Sequence, residues 1–226
     1  MSALFVVATP IGNLRDITLR ALDILKEVDF IICEDTRVTS VLLKHYDIHK
    51  ELISFNARTE EKKIEFIISR LANGETCALV SDAGTPCISD PGVRLVNAVH
   101  KKQIEIVGIP GASGVILALS IAGLPTDSFL FEGFLPQKKG RQKKLGEIST
   151  EDRTVVLYES VYRINKLMNE LNSIMPDRLV VVCKELTKKF EQIWRGKPNE
   201  FRDTFNENNI KGEFVILIAP SSWVHN

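Results

Sequence analysis

The first half of the chain alternates short apolar runs with amphipathic helical patterns, and this alternation restricts the possible folds most. Four runs rich in β-branched residues have the composition of buried parallel strands: "LFVVAT" (4–9), "FIIC" (30–33), "TCALVS" (76–81) and "IEIVGI" (104–109). Between the runs we predict a helix capped by Asp16, a helix over 60–72 and a helix near 92–101. The order β-α-β-α-β-α-β predicts a parallel sheet with right-handed crossovers.

The second half is predicted to be a mixed sheet. Its strand-like runs are "FLFEGF" (129–134), "TVVLYES" (154–160), "RLVVVCKEL" (178–186), "FEQIWRG" (190–196) and "GEFVILIA" (212–219). The third and fourth runs are close enough for a hairpin, and a polar helix is expected before the last run. A second helix is predicted from the spacing of Ile164, Leu167, Met168 and Leu171. A small-residue loop that leads into a short apolar helix, at 110–125, separates the halves, so we predict two α/β domains, 1–113 and 114–226.

Composition excludes several classes of protein. The 29 basic and 29 acidic residues give a formal net charge of +0, so no overall field attracts nucleic acid and only a local basic patch could. The four cysteines are scattered without a C-x-x-C pair, which disfavours a zinc site or disulfide framework and fits a reducing cytosol. We find no signal peptide or membrane-spanning run, and expect a cytoplasmic protein with no bound metal and no membrane partner.

Unusual loops follow each of the four predicted strands of the first half. They are "TPIGN", "EDTR", "SDAGTP" and "PGASG". Ligands of open α/β sheets bind beyond the carboxyl ends of the strands, so four such loops predict a ligand site. Asp82 suits an ammonium group or a ribose hydroxyl, but alone it could equally be an Asx-turn or a helix cap. Pro10 and Gly12 could likewise form a purely structural turn.

Several common catalytic motifs do not occur in the chain. There is no G-x-G-x-x-G, G-x-x-x-x-G-K-[ST], G-x-S-x-G or H-E-x-x-H, which weakens nucleotide hydrolysis and metal-dependent hydrolysis as functions. The segment "QKKGRQKK" (137–144) is strongly basic. It could be a solvated loop, or it could bind the phosphates of RNA.

Eight motifs occur in one order over nearly the whole chain. They are "TPIGNL.DIT", "EDTR", "SDAGTP.ISDPG", "PG.S", "AGLP.D.F.FEGFLP", "YES..R", "KELTK" and "KGE.V". Because these motifs occur together and in this order, the chain resembles the bacterial small-subunit ribosomal RNA methyltransferase I family of the tetrapyrrole methylase superfamily. The resemblance implies two α/β domains with S-adenosylmethionine (AdoMet) in the cleft between them, and a homodimer. It also implies methylation of the ribose 2′-oxygen of a cytidine in the decoding centre of 16S rRNA, with RNA rather than DNA as the substrate.

The resemblance also implies which residues bind the cofactor. In the first domain they are Pro10, Gly12, Asp82, Ala83, Gly84, Thr85, Ala112 and Ser113. In the second domain they are Leu135, Tyr158, Gly212 and Glu213. The chain departs from the family at "YESVYR", where Val161 and Tyr162 replace a proline and a histidine. The role of that histidine is therefore not transferred to Tyr162, whereas Arg163 could contact phosphate.

Methyl transfer to a ribose hydroxyl needs a base or a charge that stabilises the developing alkoxide, because the hydroxyl is a poor nucleophile. Asp35 and Glu185 are our first choices for the base or orienting group, with Glu34 as a further candidate. Arg37, Lys184 and Lys188 could stabilise the oxygen or bind phosphate. Any of these residues could instead form a structural ion pair.

Two other functions stay open. One is an AdoMet-dependent enzyme of the same superfamily that acts on a tetrapyrrole or on a modified protein residue. The other is a non-catalytic RNA-binding or assembly protein, which would have no need for intact "SDAGTP" and "PGAS" loops. A phosphate-binding sugar or nucleotide enzyme is disfavoured because no phosphate loop is recognisable.

Overall fold

A computed structural model of the chain describes residues 2–56, 60–201 and 212–223. The chain divides into two compact units, Met1–Ser113 and Gly114–Asn226. Each unit is built around one five-stranded sheet.

The N-terminal unit contains a wholly parallel sheet in the order β3-β2-β4-β1-β5. Its strands are β1 (Ala3–Val7), β2 (Phe30–Cys33), β3 (Glu51–Ser54), β4 (Cys77–Leu79) and β5 (Glu105–Ile109). Its helices are α1 (Leu19–Glu27), α2 (Thr36–His45), α3 (Glu60–Ala72) and α4 (Val93–Lys101).

Helices cover both faces of this sheet, which is why its central strands are apolar throughout. In β2, Phe30 and Ile32 belong to one buried cluster, whereas Ile31 and Cys33 belong to the other, as the two-residue period of a strand requires. The first cluster contains the apolar stripes of α3 and α4, and the second contains those of α1 and α2. The sheet therefore lies between two helical layers.

The C-terminal unit contains a mixed sheet in the order β6-β7-β10-β8-β9. Its strands are β6 (Phe129–Phe134), β7 (Thr154–Ser160), β8 (Val180–Lys184), β9 (Gln192–Gly196) and β10 (Glu213–Ile218). Its helices are α5 (Gly114–Ala122), α6 (Arg141–Ser149) and α7 (Ile164–Ile174). Strands β6 and β7 are parallel, and the other three pairs are antiparallel.

The core of this unit lies between its sheet and helices α6 and α7. Leu145 of α6 and Leu167 of α7 are fully buried, together with Val155 and Leu157 of β7. The opposite face of the sheet is approached by α5, whose first residue, Gly114, lies beside the Tyr158 ring.

The predicted fold class is confirmed: the first sheet is parallel and the second is mixed. Two helices and one strand were not predicted, namely α2, α6 and β3. The prediction that Asp16 caps the first helix is wrong. Asp16 lies in a short 3-10 helix, and the Thr18 hydroxyl caps α1 by accepting a hydrogen bond from the Ala21 amide at 3.1 Å. The polar helix expected before β10 falls largely outside the described residues, which include only the 3-10 helix Pro198–Glu200 in that segment.

Candidate functional site

The four unusual loops of the N-terminal unit follow four consecutive strands of the sheet. In the order β2-β4-β1-β5, the carboxyl ends of these parallel strands share one edge. The loops "EDTR", "SDAGTP", "TPIGN" and "PGASG" therefore lie side by side, as the sequence predicted.

Thr9 joins the loop after β1 to the loop after β4. Its backbone amide donates to the Gly84 carbonyl at 2.9 Å, and the Gly84 amide donates back to the Thr9 carbonyl at 3.0 Å. The buried Thr9 hydroxyl also donates to the Ser81 carbonyl at 3.1 Å. These bonds fix the two loops to each other, a role of Thr9 that its position at the end of a strand could have indicated.

Gly84 holds the loop after β4 between its two neighbours. Its φ of +82° is in the left-handed region, where L side chains are strained. A Cβ at this position would lie 3.2 Å from the Ile11 side chain and 3.6 Å from the Ala112 carbonyl. The Thr85 hydroxyl donates to that same carbonyl at 3.2 Å. A glycine at this position adopts the positive φ without strain and avoids a tight contact with the Ile11 side chain.

The remaining loop residues differ in exposure. Pro10 is buried, and its ring restricts the backbone of the turn. Gly12, Asp82 and Ala83 are exposed. Ala112 and Ser113 are half-buried. Small side chains and backbone groups thus line this edge, with Asp82 as its exposed acidic group.

Asp82 faces the start of α2. Its Oδ1 accepts a hydrogen bond from the Asp35 amide at 3.1 Å. Desolvation raises the pKa of this carboxyl, and the nearby Asp35 carboxylate adds to the rise. The pKa values of Glu34 and Asp90 are also raised, in each case chiefly by desolvation, with the charge of Asp82 contributing. This edge therefore brings three carboxyl groups close enough to affect one another's pKa values, and such a group of carboxyls favours a cationic ligand.

Asp35 has a different environment. Its carboxylate caps α2 by accepting from the Arg37 amide at 2.9 Å and also accepts from the Arg37 guanidinium at 2.6 Å. These hydrogen bonds lower the pKa of Asp35 to about 2. A carboxylate this acidic is a weak base, so its geometry suits the orientation of Arg37, whose side chain is 89% exposed.

The C-terminal unit brings the "KELTK" and "KGE" motifs together at the end of β8 and the start of β10. The Glu185 amide donates to the Glu213 carbonyl at 2.9 Å, and the Glu213 amide donates to Glu185 Oε1 at 3.0 Å. Lys188 Nζ lies 2.9 Å from carboxylate oxygens of both Glu185 and Glu213. A Cβ on Gly212 would lie 2.4 Å from the Glu185 side chain, so this glycine makes room for it.

The pKa of Glu185 reflects two opposing effects. Desolvation would raise it, but hydrogen bonds from the Lys188 ammonium and the Glu213 amide outweigh that effect, and the pKa is lowered. Glu185 and Thr187 also have positive φ values of 52° and 66°. For the β-branched Thr187 such a conformation is strained, and strain of this kind concentrates at functional sites.

In the same unit, Leu135 and Lys184 are buried, whereas Tyr158 is half-buried. The Leu135 side chain is buried in the core, and its carbonyl accepts from Arg163 at 3.3 Å. The half-buried Tyr158 ring contacts Phe131 and Phe134, with centroids 5.2 Å and 5.6 Å away. Lys184 lies at the end of β8.

The basic segment 137–144 is only partly solvated. Arg141 is buried, and its Nε donates to Glu170 at 2.8 Å. Glu159, whose side chain is fully buried, lies 2.7 Å from the Arg163 guanidinium and 3.8 Å from that of Arg141. Sequence reasoning missed this buried pairing because a charged run gives no signal for which of its members is buried.

No helix within residues 2–56, 60–201 and 212–223 is long and apolar enough to cross a membrane. In the same ranges, no three or more His, Cys, Asp or Glu residues are grouped as metal ligands would be.

The chain is similar to several proteins of known class. Residues 3–201 match the family described as Tetrapyrrole (Corrin/Porphyrin) Methylases. Ribosomal RNA small subunit methyltransferase I of Thermotoga maritima is 42% identical over 219 residues, which cover 97% of this chain and 99% of that protein.

Two solved structures share the fold. The cobalamin biosynthetic enzyme cobalt precorrin-4 methyltransferase matches with a TM-score of 0.72 at 20% identity, covering 96% of this chain and 94% of that one. Uroporphyrin-III C-methyl transferase from Thermus thermophilus, complexed with S-adenyl homocysteine, matches with a TM-score of 0.65 at 16% identity, covering 97% of each chain. Because the family match covers residues 3–201 and a relative at 42% identity aligns with 97% of this chain, the chain belongs to the tetrapyrrole methylase family.

Proposed function

We propose that the protein transfers a methyl group from AdoMet to the ribose 2′-oxygen of a cytidine in the decoding centre of 16S rRNA. The family is AdoMet-dependent, and relatives named ribosomal RNA small subunit methyltransferase I support ribosomal RNA as the substrate. The observation that carries the proposal is the set of four adjoining loops in the N-terminal unit, with Asp82 at its exposed edge.

The residues of these loops fit AdoMet. The cofactor carries a cationic sulfonium and an ammonium group, and the loop edge offers the carboxylates of Glu34, Asp82 and Asp90. Gly12, Ala83 and Gly84 contribute no bulky side chain to this edge, so a ligand could approach the backbone there. We propose that Pro10, Gly12, Asp82 to Thr85, Ala112 and Ser113 bind the cofactor, as the resemblance implies.

The bound cofactor supplies the electrophilic methyl group. As the 2′-oxygen forms its bond to the methyl carbon, the carbon–sulfur bond breaks and the hydroxyl proton must leave to a base. Alignment of the reacting atoms supplies most of the acceleration in such a displacement. The chain therefore has to position the ribose, exclude water and accept one proton.

Glu34 has the pKa direction that suits a proton acceptor. Desolvation raises the pKa of its carboxyl, whereas hydrogen bonds lower the pKa values of Asp35 and Glu185. A base is more effective as its pKa approaches the working pH. We therefore propose Glu34 as the base, with Asp35 positioning Arg37 and Glu185 positioning Lys188, and with Lys184 as a phosphate ligand.

The test is transfer of labelled methyl from AdoMet to small ribosomal subunits that lack the modification, compared with free 16S rRNA. We expect label on RNA with the wild type, loss of label with Asp82→Ala, and unchanged labelling with Asp23→Ala, which removes an exposed carboxylate from α1. AdoMet binding without labelling of either RNA would contradict an RNA substrate and favour a tetrapyrrole or a modified protein residue. RNA binding without AdoMet binding would favour a non-catalytic assembly protein.

A further inference from the structure

Three exposed aromatic side chains lie along one edge of the C-terminal sheet. Strand β6 is parallel to β7, and both β7 and β8 are antiparallel to β10, so β6, β7 and β8 end at the same edge. Phe134 ends β6, Tyr162 follows β7 and Phe190 follows β8. These residues are 54%, 94% and 68% exposed. Each of the three strand ends thus contributes one solvent-facing ring.

A cation accompanies two of these rings. The Arg163 guanidinium carbon lies 5.8 Å from the Phe134 centroid, and Lys189 Nζ lies 5.5 Å from the Phe190 centroid. Tyr162 directly precedes Arg163 in the turn after β7, which the Arg163 amide closes by donating to the Ser160 carbonyl at 3.0 Å. Aromatic rings stack on nucleic-acid bases, and cationic side chains bind phosphates. An edge that carries both kinds of group therefore suits a single-stranded nucleic acid.

Contacts with neighbouring residues fix the positions of the Phe134 and Arg163 side chains. The Phe134 ring contacts the Tyr158 ring at 5.6 Å. Arg163 is fixed by the buried Glu159 carboxylate at 2.7 Å and by hydrogen bonds to Ser160 and Leu135. A side chain fixed in this way loses little entropy when a ligand binds to it.

The charges at this edge leave a positive excess beyond β6. Glu185 and Glu213 are paired with Lys188, and Glu132 is paired with Lys144. Lys138 and Lys139 follow Phe134 by four and five residues and are exposed. Within the described residues, no ion pair is recorded for either ammonium group. They are therefore available to a polyanion.

We propose that this aromatic edge, formed by Phe134, Tyr162 and Phe190, stacks unpaired bases of the RNA substrate. The inference rests on the proposed function. From β6 to β8 there are three strand intervals of about 4.8 Å each, which is wide enough for more than one base. Single-stranded RNA is recognised by stacking on aromatic rings, whereas a duplex keeps its bases covered.

The experiment measures equilibrium binding of a fluorescein-labelled 12-nucleotide unpaired RNA, of the same RNA as a duplex, and of small ribosomal subunits. We expect Phe134→Ala, Tyr162→Ala and Phe190→Ala each to weaken binding of the unpaired RNA by about 5- to 100-fold. Phe134→Trp should retain the affinity because it keeps a ring. The duplex should bind weakly to all variants.

A matched control is available in the other unit. Phe66 on α3 is 52% exposed, and the Arg70 guanidinium lies 5.8 Å from its ring, so its local chemistry matches that of Phe134. Phe66→Ala should leave RNA affinity unchanged. The double variant Lys138→Ala/Lys139→Ala should instead lower the salt dependence of binding, by about 0.7 in log–log slope for each lost phosphate contact.

The outcomes separate this inference from the proposed function. If the wild type methylates ribosomal subunits and the three aromatic variants bind RNA and subunits as tightly as Phe66→Ala does, the stacking edge is wrong while the function stands. If the variants lose RNA affinity but the wild type methylates no ribosomal RNA, the edge stands and the function is wrong. A changed oligomeric state with unchanged RNA affinity would assign the rings to a protein interface and overturn the inference.

Discussion

Asp82 is exposed, yet its surroundings disfavour the charged form of its carboxyl group. Desolvation and the Asp35 carboxylate raise its pKa above the ordinary 3.8, although the Asp35 amide donates to it. A bound cation would relieve this unfavourable charge. If Asp82 binds AdoMet as we propose, the affinity of the protein for AdoMet should depend on pH.

We predict that AdoMet affinity falls as the pH is lowered through the raised pKa of Asp82, above the range in which an ordinary aspartate titrates. Protonation removes the charge that binds the cofactor's cationic groups. Because the folded-state pKa of Asp82 is raised, protonation of this one group stabilises the fold as the pH falls, and Asp82 itself does not contribute to acid unfolding. Calorimetric titration from pH 7 to pH 4.5 measures the effect, with circular dichroism as a check on folding.

The Asp82→Asn variant is the control for the predicted pH dependence of AdoMet affinity. It should bind AdoMet weakly at pH 7 and lose less affinity on acidification, the remainder coming from Glu34 and Asp90, whose pKa values are also raised. A wild-type affinity that stays constant over this range would contradict the assignment of Asp82 to the cofactor site.

Gly84→Ala should weaken AdoMet binding, whereas Gly74→Ala should not. Both glycines have positive φ values, +82° and +96°, so either alanine should cost about 1–2 kcal/mol of unfolding free energy. Only at Gly84 would the new Cβ press on Ile11, because nothing lies within 4 Å at Gly74. Urea unfolding and calorimetry separate the two effects. Equal AdoMet affinity in both variants would show that the close approach of the loops is not needed for binding.

Glu159→Gln should lower the unfolding free energy by about 3 kcal/mol, because removing one partner of a buried ion pair leaves the Arg163 charge uncompensated. Glu147 is a suitable control, since it is half-exposed and pairs with Lys143 and Lys144 on the surface. Glu147→Gln should cost less than about 1 kcal/mol. Similar urea midpoints for the two variants would argue against a stabilising role for the buried pairing.

At the level of elements, strands could be predicted where the sequence has a run rich in β-branched or aromatic residues. Strands β2, β6 and β7 were predicted with their observed bounds, although β6 is an edge strand in which only Gly133 is buried. Strand β3 was missed because "ELIS" has no such run and only its Ile53 is buried.

Helices α2 and α6 were missed because their sequences lack a clear apolar stripe of strong helix formers. Helix α2 contains two threonines and two valines, which are weak helix formers, and it depends on the Asp35 cap and on burial of Leu42 and Leu43. Helix α6 is polar and buries Arg141 beside Leu145 and Ile148. Burial of an arginine depends on Glu159 and Glu170, which are distant in sequence.

The location of the candidate site was easier to predict than the roles of its residues. Glycine, proline or aspartate after four of the five parallel strands indicated the edge at which the loops lie. The roles of Glu34, Asp35 and Glu185 depend on hydrogen-bond partners such as Arg37 and Lys188, which the sequence does not reveal. Leu135, Tyr158, Gly212 and Glu213 stay predictions as cofactor ligands.

At the scale of the whole molecule, each unit has side chains suited to ligand binding at one edge of its sheet. The N-terminal edge is acidic and lined by small residues, whereas the C-terminal edge carries aromatic rings and lysines. A small cationic cofactor suits the first edge, and a polyanion with exposed bases suits the second. The homodimer implied by the resemblance stays a prediction, which sedimentation equilibrium tests.

The central claim is that methyl transfer occurs on a ribose 2′-oxygen. Its most direct test is mass spectrometry of nucleosides from small ribosomal subunits incubated with the protein and isotope-labelled AdoMet. We predict labelled 2′-O-methylcytidine at one position, and none with Asp82→Ala. Label on a base, or label that persists in Asp82→Ala at the wild-type rate, would contradict it.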